Sequence, residues 1–411
     1  MTSWQEVKLD DICKMNTETY SLDENWKYVN YLDTGNITSN KIENIQYIDL
    51  SVDKLPSRAR RKVKNGNIVY STVRPNQLHY GLIKEQPDNF LVSTGFAVLD
   101  IDTTKAIPEY VYYLLTQASY TEALHAIAEQ STSAYPSIKP SDIGNRKISL
   151  PPLEIQKKIA GVLSALDDKI ELNNKINNNL EQQAQALYVN NIELYKERNI
   201  KVEDIVITAN TGADAIQKAP IVDYDTGVKC VRVGDMSNKR SYSDWGYAKV
   251  TDDVFSQYQL KKDDIIVTRT ASLGLNTIIS KNLDAVYNNG LIRLTINKDV
   301  IVPLLVYRQF QTDDFKNYIS KIEGETSVRP NMKINYLLQY SFAVMNKEKQ
   351  KELINVLEPL WNKQEQLIEE NTRLAAIRDA LLPKLMNGEI DVSNVDISAL
   401  TSTDKLSFTE D

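Results

Sequence analysis

Two stretches of the chain carry aliphatic residues at alternating steps of four and three. In the first, Ile159, Leu163, Leu166, Ile170, Leu180, Ala184 and Leu187 fall into this pattern, and in the second Leu353, Leu357, Leu360, Leu367, Leu374 and Leu381 do. Such a narrow seam predicts long helices that pair as a coiled coil. At 1.5 Å per residue each would be roughly 50 Å long. The two stretches are copies. A shift of 194 positions lays Glu154 on Glu348, Gln156 on Gln350 and Leu163 on Leu357, with 12 identities in the 34 positions from 154 to 187. The seam is broken by Asn173 and Asn177 in one copy and by Gln364 and Asn371 in the other. An antiparallel pair would bring Asn177 near Gln364, and buried polar groups in a seam set register and partner number. The plainer alternative is two solvated amphipathic helices on separate domains.

The duplication extends beyond the helices. Lys8-Leu9-Asp10-Asp11-Ile12 corresponds to Lys201-Val202-Glu203-Asp204-Ile205, and 132–139 lies over 326–333. Between these anchors the pattern is mixed. Asn67–Val73 and Asp264–Thr270 are β-rich runs opening after turn residues, and Phe96–Leu99 and Leu291–Leu294 follow Gly95 and Gly290. A short helix is expected in each half, over 108–128 and 303–322. The fold expected is therefore α+β: two mixed α/β domains in tandem, each followed by a long helix, with the helices pairing antiparallel. The boundaries follow as a first domain 1–150, a helix 151–190, a second domain 191–345, a helix 346–388 and an acidic, disordered tail 389–411. Pro359 is expected to kink or restart the second helix.

Composition narrows the function. No apolar run approaches the ~18 residues of a membrane span, and the start MTSWQEVKLDDI has no signal-peptide pattern. Cys13 and Cys230 stand alone, which suits a reducing cytoplasm. Only His79 and His125 are present, so no histidine metal cluster is expected. There is no GxxxxGK[ST] or GxGxxG loop, and Leu150-Pro151-Pro152-Leu153 lacks the polar first and aromatic last residues of the amino-methyltransferase tetrapeptide. The chain reads as non-catalytic and as holding no cofactor. Net charge is −7, but residues 387–411 hold six acids against Lys405, while Pro56–Lys84 holds seven basic residues and no acid. Local patches rather than totals set phosphate affinity.

Several stretches together resemble the specificity subunit of type I restriction–modification systems. They are the domain openings Trp4…Lys8-Leu9-Asp10-Asp11-Ile12 and Lys201–Ile205, the strand motifs Gly66–Pro75 and Asp264–Arg269, the passage Ile148–Gln156, and the ending Leu381–Ile390. The resemblance covers the chain to about residue 390. It departs at Ala343-Val344-Met345-Asn346, which replaces the Leu-Pro-Pro-Leu entry, and at Pro359. It implies a DNA reader with two target-recognition domains, one for each half of a bipartite double-stranded target. It also implies two modification subunits, which bind S-adenosylmethionine and methylate adenine, and two restriction subunits using ATP and Mg. The runner-up reading is a coiled-coil scaffold joining two partner-binding domains without DNA; an enzyme fused to its own reader is disfavoured by the missing cofactor motifs.

Candidate contacts follow from side-chain chemistry. Arg58, Arg60, Arg61, Lys62 and Lys64 are candidate phosphate contacts in the first domain. Thr72, Arg74, Asn76 and Gln77 follow a strand end and suit base edges, as do Ser133, Tyr135 and Lys139. In the second domain the base-edge candidates are Arg269, Thr270, Ser272, Asn276, Ser327, Arg329, Asn331 and Lys333, with Arg232, Lys239 and Arg240 for phosphates. Lys157, Lys158, Lys351 and Trp361 are candidates for binding a partner subunit.

Overall fold

The computed structural model describes residues 4–130, 136–195, 198–325 and 331–397. The chain forms two compact units, Met1–Glu171 with Arg373–Asp411, and Leu172–Thr372. Each unit thus takes in a part of both long helices, Leu153–Tyr195 and Lys347–Met386. The boundaries expected at 150/151, 190/191 and 345/346 treated the helices as separate spacers; the structure builds them into the units.

The first unit contains a four-stranded antiparallel framework sheet in the order Cys13–Met15, Phe96–Ile101, Ile68–Ser71, Tyr80–Leu82. Ile68, Tyr70, Ala97 and Leu99 pack toward helices on one face. Val69, Phe96 and Val98 pack toward a second sheet on the other. A sheet covered on both faces explains why the sequence shows a continuous apolar run there instead of alternation. The covering sheet runs Gln46–Asp49, Tyr28–Leu32, Phe90–Ser93, Ala59–Lys62, with the middle pair parallel.

The second unit repeats the framework strand for strand: Val206–Thr211, Leu291–Ile296, Ile265–Thr268, Asn276–Ile278. Its covering sheet runs Ile221–Val222, Gly246–Ala248, Lys229–Val231, Ala285–Tyr287, with the last pair parallel, the equivalent of the parallel middle pair in the first unit. One difference stands out. The basic strand Ala59–Lys62 flanks Phe90–Ser93 in the first unit, whereas helix Asp252–Tyr258 packs against the equivalent Ala285–Tyr287 in the second.

Each expected short helix is two. Pro108–Leu115 and Ala118–Glu129 are separated where Gln117 adopts an extended backbone with ψ 140°. Pro303–Phe310 and Asp313–Glu325 are separated at Gln311 and Thr312, whose hydroxyl accepts from Phe315 N at 3.3 Å. Helix propensity alone shows neither break.

The long helices lie antiparallel within each unit, since facing residue numbers rise on one helix as they fall on the other. In the second unit Asn173 Nδ2 donates to Asn371 Oδ1 at 2.9 Å, and Gln364 Nε2 to Glu181 Oε2 at 3.1 Å and to Asn177 O at 3.4 Å. The expected Asn177–Gln364 approach is present. In the first unit Arg378 Nη1 meets Asp167 Oδ1 at 2.7 Å, and Leu381 and Leu385 join Ile159 and Leu163 in one core. The second helix runs unbroken through Pro359, contrary to the expected restart. Burial of Leu357 before it and Leu367 after it outweighs one missing helical donor. The tail also departs from expectation over 389–397. Val392 is 3% exposed, Ile390 and Val395 pack on the first unit's core, and Lys158 Nζ binds Ser393 O. Residues 398–411 lie outside the described residues.

One buried glutamine secures each helix to its unit. Gln156 accepts from Ile107 N at 2.9 Å and donates to Pro151 O at 2.8 Å. Its duplicate Gln350 accepts from Val302 N at 3.3 Å and donates to Met345 O at 2.9 Å. Replacing either with leucine orphans buried backbone groups, at about 1–3 kcal/mol each. Hydrogen exchange read separately over 4–130 and 198–325 checks this. Gln156→Leu should speed exchange in the first range and Gln350→Leu in the second; equal effects on both ranges would contradict the local anchoring.

Candidate nucleic-acid interface

At one end of each framework sheet, three loops and the segment before the short pre-helix turn meet. In the first unit Thr72 N and Thr72 Oγ1 both donate to Gly95 O, at 2.8 and 2.9 Å. Gly95 in turn abuts Thr34, whose Cγ2 lies 2.9 Å from where a Cβ on Gly95 would sit, so a larger residue would force Thr34 to shift. Ile138 N donates to Thr72 O and Arg74 N to Pro136 O, both at 2.8 Å. Arg58 O accepts from Thr94 N at 2.8 Å, which brings the exposed Arg58 to the same edge. Arg74 takes a left-handed backbone, φ 48°, as the loop turns into the 3-10 segment Pro75–Gln77.

The second unit repeats these main-chain bonds. Arg269 N donates to Gly290 O at 2.9 Å, Met332 N to Arg269 O at 2.7 Å, and a Cβ on Gly290 would lie 2.7 Å from Val233 Cγ2. Val73 bridges Ser137 in the first unit and Thr270 bridges Asn331 in the second. Ala271, φ 60°, repeats the left-handed turn of Arg74. The strand registers make the loops equivalent. Leu32 pairs Val92 and Val231 pairs Tyr287, so Asp33 stands where Arg232 stands.

The structure assembles part of the candidate set. Arg58, Thr72, Arg74, Asn76 and Gln77 share the loop edge of the first unit, with Asn76 and Gln77 exposed. Thr270, Ser272 and Asn331 share it in the second, and Ser237 Oγ meets Ser272 Oγ at 3.5 Å, which places the loop of Arg232, Lys239 and Arg240 beside them. Lys139 and Lys333 are exposed at the starts of short helices below these loops. Ser133, Tyr135, Ser327 and Arg329 lie outside the described residues.

Other candidates are corrected. Lys62 pairs with Glu24 and lies 5.3 Å from the Trp26 ring centre. Lys64 pairs with Asp100 at 2.9 Å, at the opposite end of the framework strand from the loops, and the aspartate raises the lysine's pKa. Lys84 of the same basic run pairs with Asp168 at 2.6 Å. The acids come from distant sequence, so a run without acids is not a bare positive patch in the fold. Arg60 and Arg61 are half-buried in the edge strand Ala59–Lys62, and burial lowers the Arg61 pKa. Arg269 is a brace: Nε donates to Met332 O and Nη1 to Asn289 O, both at 3.1 Å. The Asn276 amide is engaged with Gly274 O, Phe310 O and Gln311 Nε2, which removes it as a base reader. Trp361 packs edge-to-face on Tyr307 at 5.7 Å within its own unit, and Lys158 is held by the tail; Lys157 and Lys351 remain exposed at duplicate positions. The sequence reading missed Asp33 and Asp235, whose importance shows only once distant loops are brought together.

No cluster of three metal-ligating side chains occurs among the described residues. Burial pushes both thiols, Cys13 and Cys230, up to about 12, so neither has nucleophilic character near neutral pH.

Residues 1–182 match the family model described as the type I restriction modification DNA specificity domain. The chain is 26% identical to the type I restriction enzyme HindI specificity subunit of Haemophilus influenzae, over 95% of this chain and 100% of that protein. It is 25% identical to the MjaIX specificity subunit of Methanocaldococcus jannaschii, over 95% and 94%. The type I restriction-modification system S subunit from M. genitalium shares the fold, with TM-score 0.55, 16% identity, and 94% and 96% of the two chains covered.

The raised thiol pKa values carry a sign. The unfolded chain ionises its thiols from about pH 8.5, while the folded chain resists until about pH 12. The stability they contribute is therefore complete below that range and is lost as pH rises through it. Both thiols should be inert to a disulfide reagent at pH 8 until denaturant is added; rapid labelling of the native chain would contradict their burial.

Proposed function

We propose that the chain is a specificity subunit of a type I restriction–modification system, as its match to the specificity-domain model over residues 1–182 and its likeness to the HindI subunit support, and that it reads a bipartite DNA target, one half-site per unit. Its part is recognition of DNA sequence, without catalysis of its own. The observation that carries the bipartite reading is the pair of equivalent loop edges. One set of main-chain bonds is repeated in both units, yet Ser137 of the first unit holds the place that Asn331 holds in the second, and Asp33 the place of Arg232. A repeated frame with different side chains is what two unlike half-sites require, because phosphate contacts position and base contacts specify.

The same reading extends to partners. The pseudo-repeat offers two related faces to two copies of a modification subunit, which binds S-adenosylmethionine and methylates adenine, and exposed Lys157 and Lys351 are duplicate points on those faces. Restriction subunits would bring ATP and Mg, and this chain would hold no cofactor. The long helices, paired as a coiled coil, set the gap between half-sites, and the assembly works in the cytoplasm.

Long-read methylation mapping tests this in a methylation-free host that co-expresses the chain with its modification subunit. A motif of two short blocks around a fixed gap is expected, and deletions within 173–179 should change the gap. Unmethylated DNA despite a soluble complex would favour the scaffold reading instead. In binding assays on the matched duplex, Arg58→Ala should weaken affinity and lower the salt slope by about one. Lys62→Ala should leave both unchanged, because Lys62 is already paired with Glu24.

A further inference from the structure

Asp235 is 1% exposed, a carboxylate buried at the edge that faces the proposed DNA. It caps the short helix Val233–Ser237, accepting from Arg232 N at 2.9 Å. It also accepts from two guanidinium groups, Arg232 Nε at 3.4 Å and Arg240 Nη1 at 3.2 Å. Arg232 and Arg240 are themselves 37% and 48% exposed. Trp245 Nε1 fixes the second of these from behind by donating to Arg240 O at 3.2 Å.

If these arginines served only to neutralise phosphates, a buried acid between them would be a defect, since it cancels one of the two charges and costs desolvation. What the carboxylate supplies is direction. Arg232 uses Nε, which leaves its two terminal nitrogens as a fork, with Nη2 3.7 Å from where a Cβ on Gly246 would sit. Arg240 uses Nη1, which leaves the Nε–Nη2 edge. Among the described residues neither group has a further hydrogen-bond partner. A planar fork held rigid at a groove-facing edge matches the O6 and N7 acceptors of guanine, the commonest specific pairing of arginine.

The first unit has a different arrangement at the matching place. Asp33 accepts from Thr34 N at 2.9 Å and from Tyr31 OH at 3.1 Å. It presents an acceptor where the second unit presents donors, so the two edges differ in chemistry as well as in residue identity.

We propose that Asp235 is a positioning residue that orients Arg232 and Arg240 to read guanine in the half-site of the second unit. This rests on the DNA-reading function proposed above, and the test separates the two. The complete chain, co-expressed with its modification subunit, is mapped for methylated motifs as wild type and as Arg232→Lys, Arg240→Lys and Asp235→Asn. The lysine variants keep the charge and lose the fork. Wild type should show a guanine in one half-site. Discrimination at that base pair should fall roughly 5- to 150-fold in at least one lysine variant and in Asp235→Asn, with the other half-site intact as an internal control of folding. If Asp235→Asn disrupts the second unit, the exposed arginine positions still decide. A half-site without guanine, or lysine variants that keep the motif unchanged, would overturn the proposal and leave the DNA-reading function standing. A wild-type complex that writes no motif would instead overturn that function.

Discussion

The structure depends on a side-chain amide used twice. Gln156 and Gln350 sit in the first turn of each long helix and reach back to two backbone segments: the connector entering the helix and the one entering Pro108–Leu115 or Pro303–Phe310. Both residues are nearly inaccessible, at 1% and 3% exposed. A buried amide offers two donors and an acceptor in fixed directions, which no apolar side chain of similar size supplies. Each unit is thereby locked to its helix by geometry, and the requirement explains why glutamine persists in both copies while most surrounding positions have drifted.

The helix pair is held differently in the two units. In the first, Asp167 accepts from Tyr113 OH at 2.6 Å and from Arg378 at 2.7 Å. The duplicates of Tyr113 and Asp167 are Tyr307 and Trp361, and the second unit replaces the polar contact with an aromatic one. Its ion pair is elsewhere: Arg308, fully buried, meets Glu181 at 2.6 Å and Gln364 at 3.4 Å. A buried arginine is weak evidence for stability, because desolvation offsets most of the attraction. It is better evidence for register, since a slip would strand the charge. Unlike polar contacts on copied helices also discourage either helix from pairing with a second copy of itself.

Much of this was legible in the sequence. The helix seams, the framework strands and the duplication rest on local periodicity and on spacing, both of which survive translation into structure. The breaks at Gln117 and Gln311 were not legible, because the apolar pattern continues across them and only packing decides. The basic run misled for a related reason. Lys62, Lys64 and Lys84 are neutralised by Glu24, Asp100 and Asp168, from 36 to 84 positions away, and no window on the sequence sees such partners. Arg269 and Asn276 had the right chemistry for bases but spend it inside the fold. Conversely Asp235, which no local pattern singles out, becomes a buried carboxylate only once the loops around it close.

How the two edges diverged without losing their shape follows from which atoms hold them. The bonds from residues 72 and 269 to the glycine carbonyls, and from 138 and 332 to the loops, are made by main-chain groups. Main-chain bonds are indifferent to side-chain identity, so Thr72 and Arg269, or Ser137 and Asn331, can occupy equivalent places at no cost to the frame. The glycines are the exception, because a Cβ at 95 or 290 would collide with the neighbouring loop. Side chains free to change on a backbone that is not are the physical condition for acquiring a new half-site by substitution. The covering sheet carries the larger change, a basic strand in one unit and a helix in the other, because it lies outside that bonded frame.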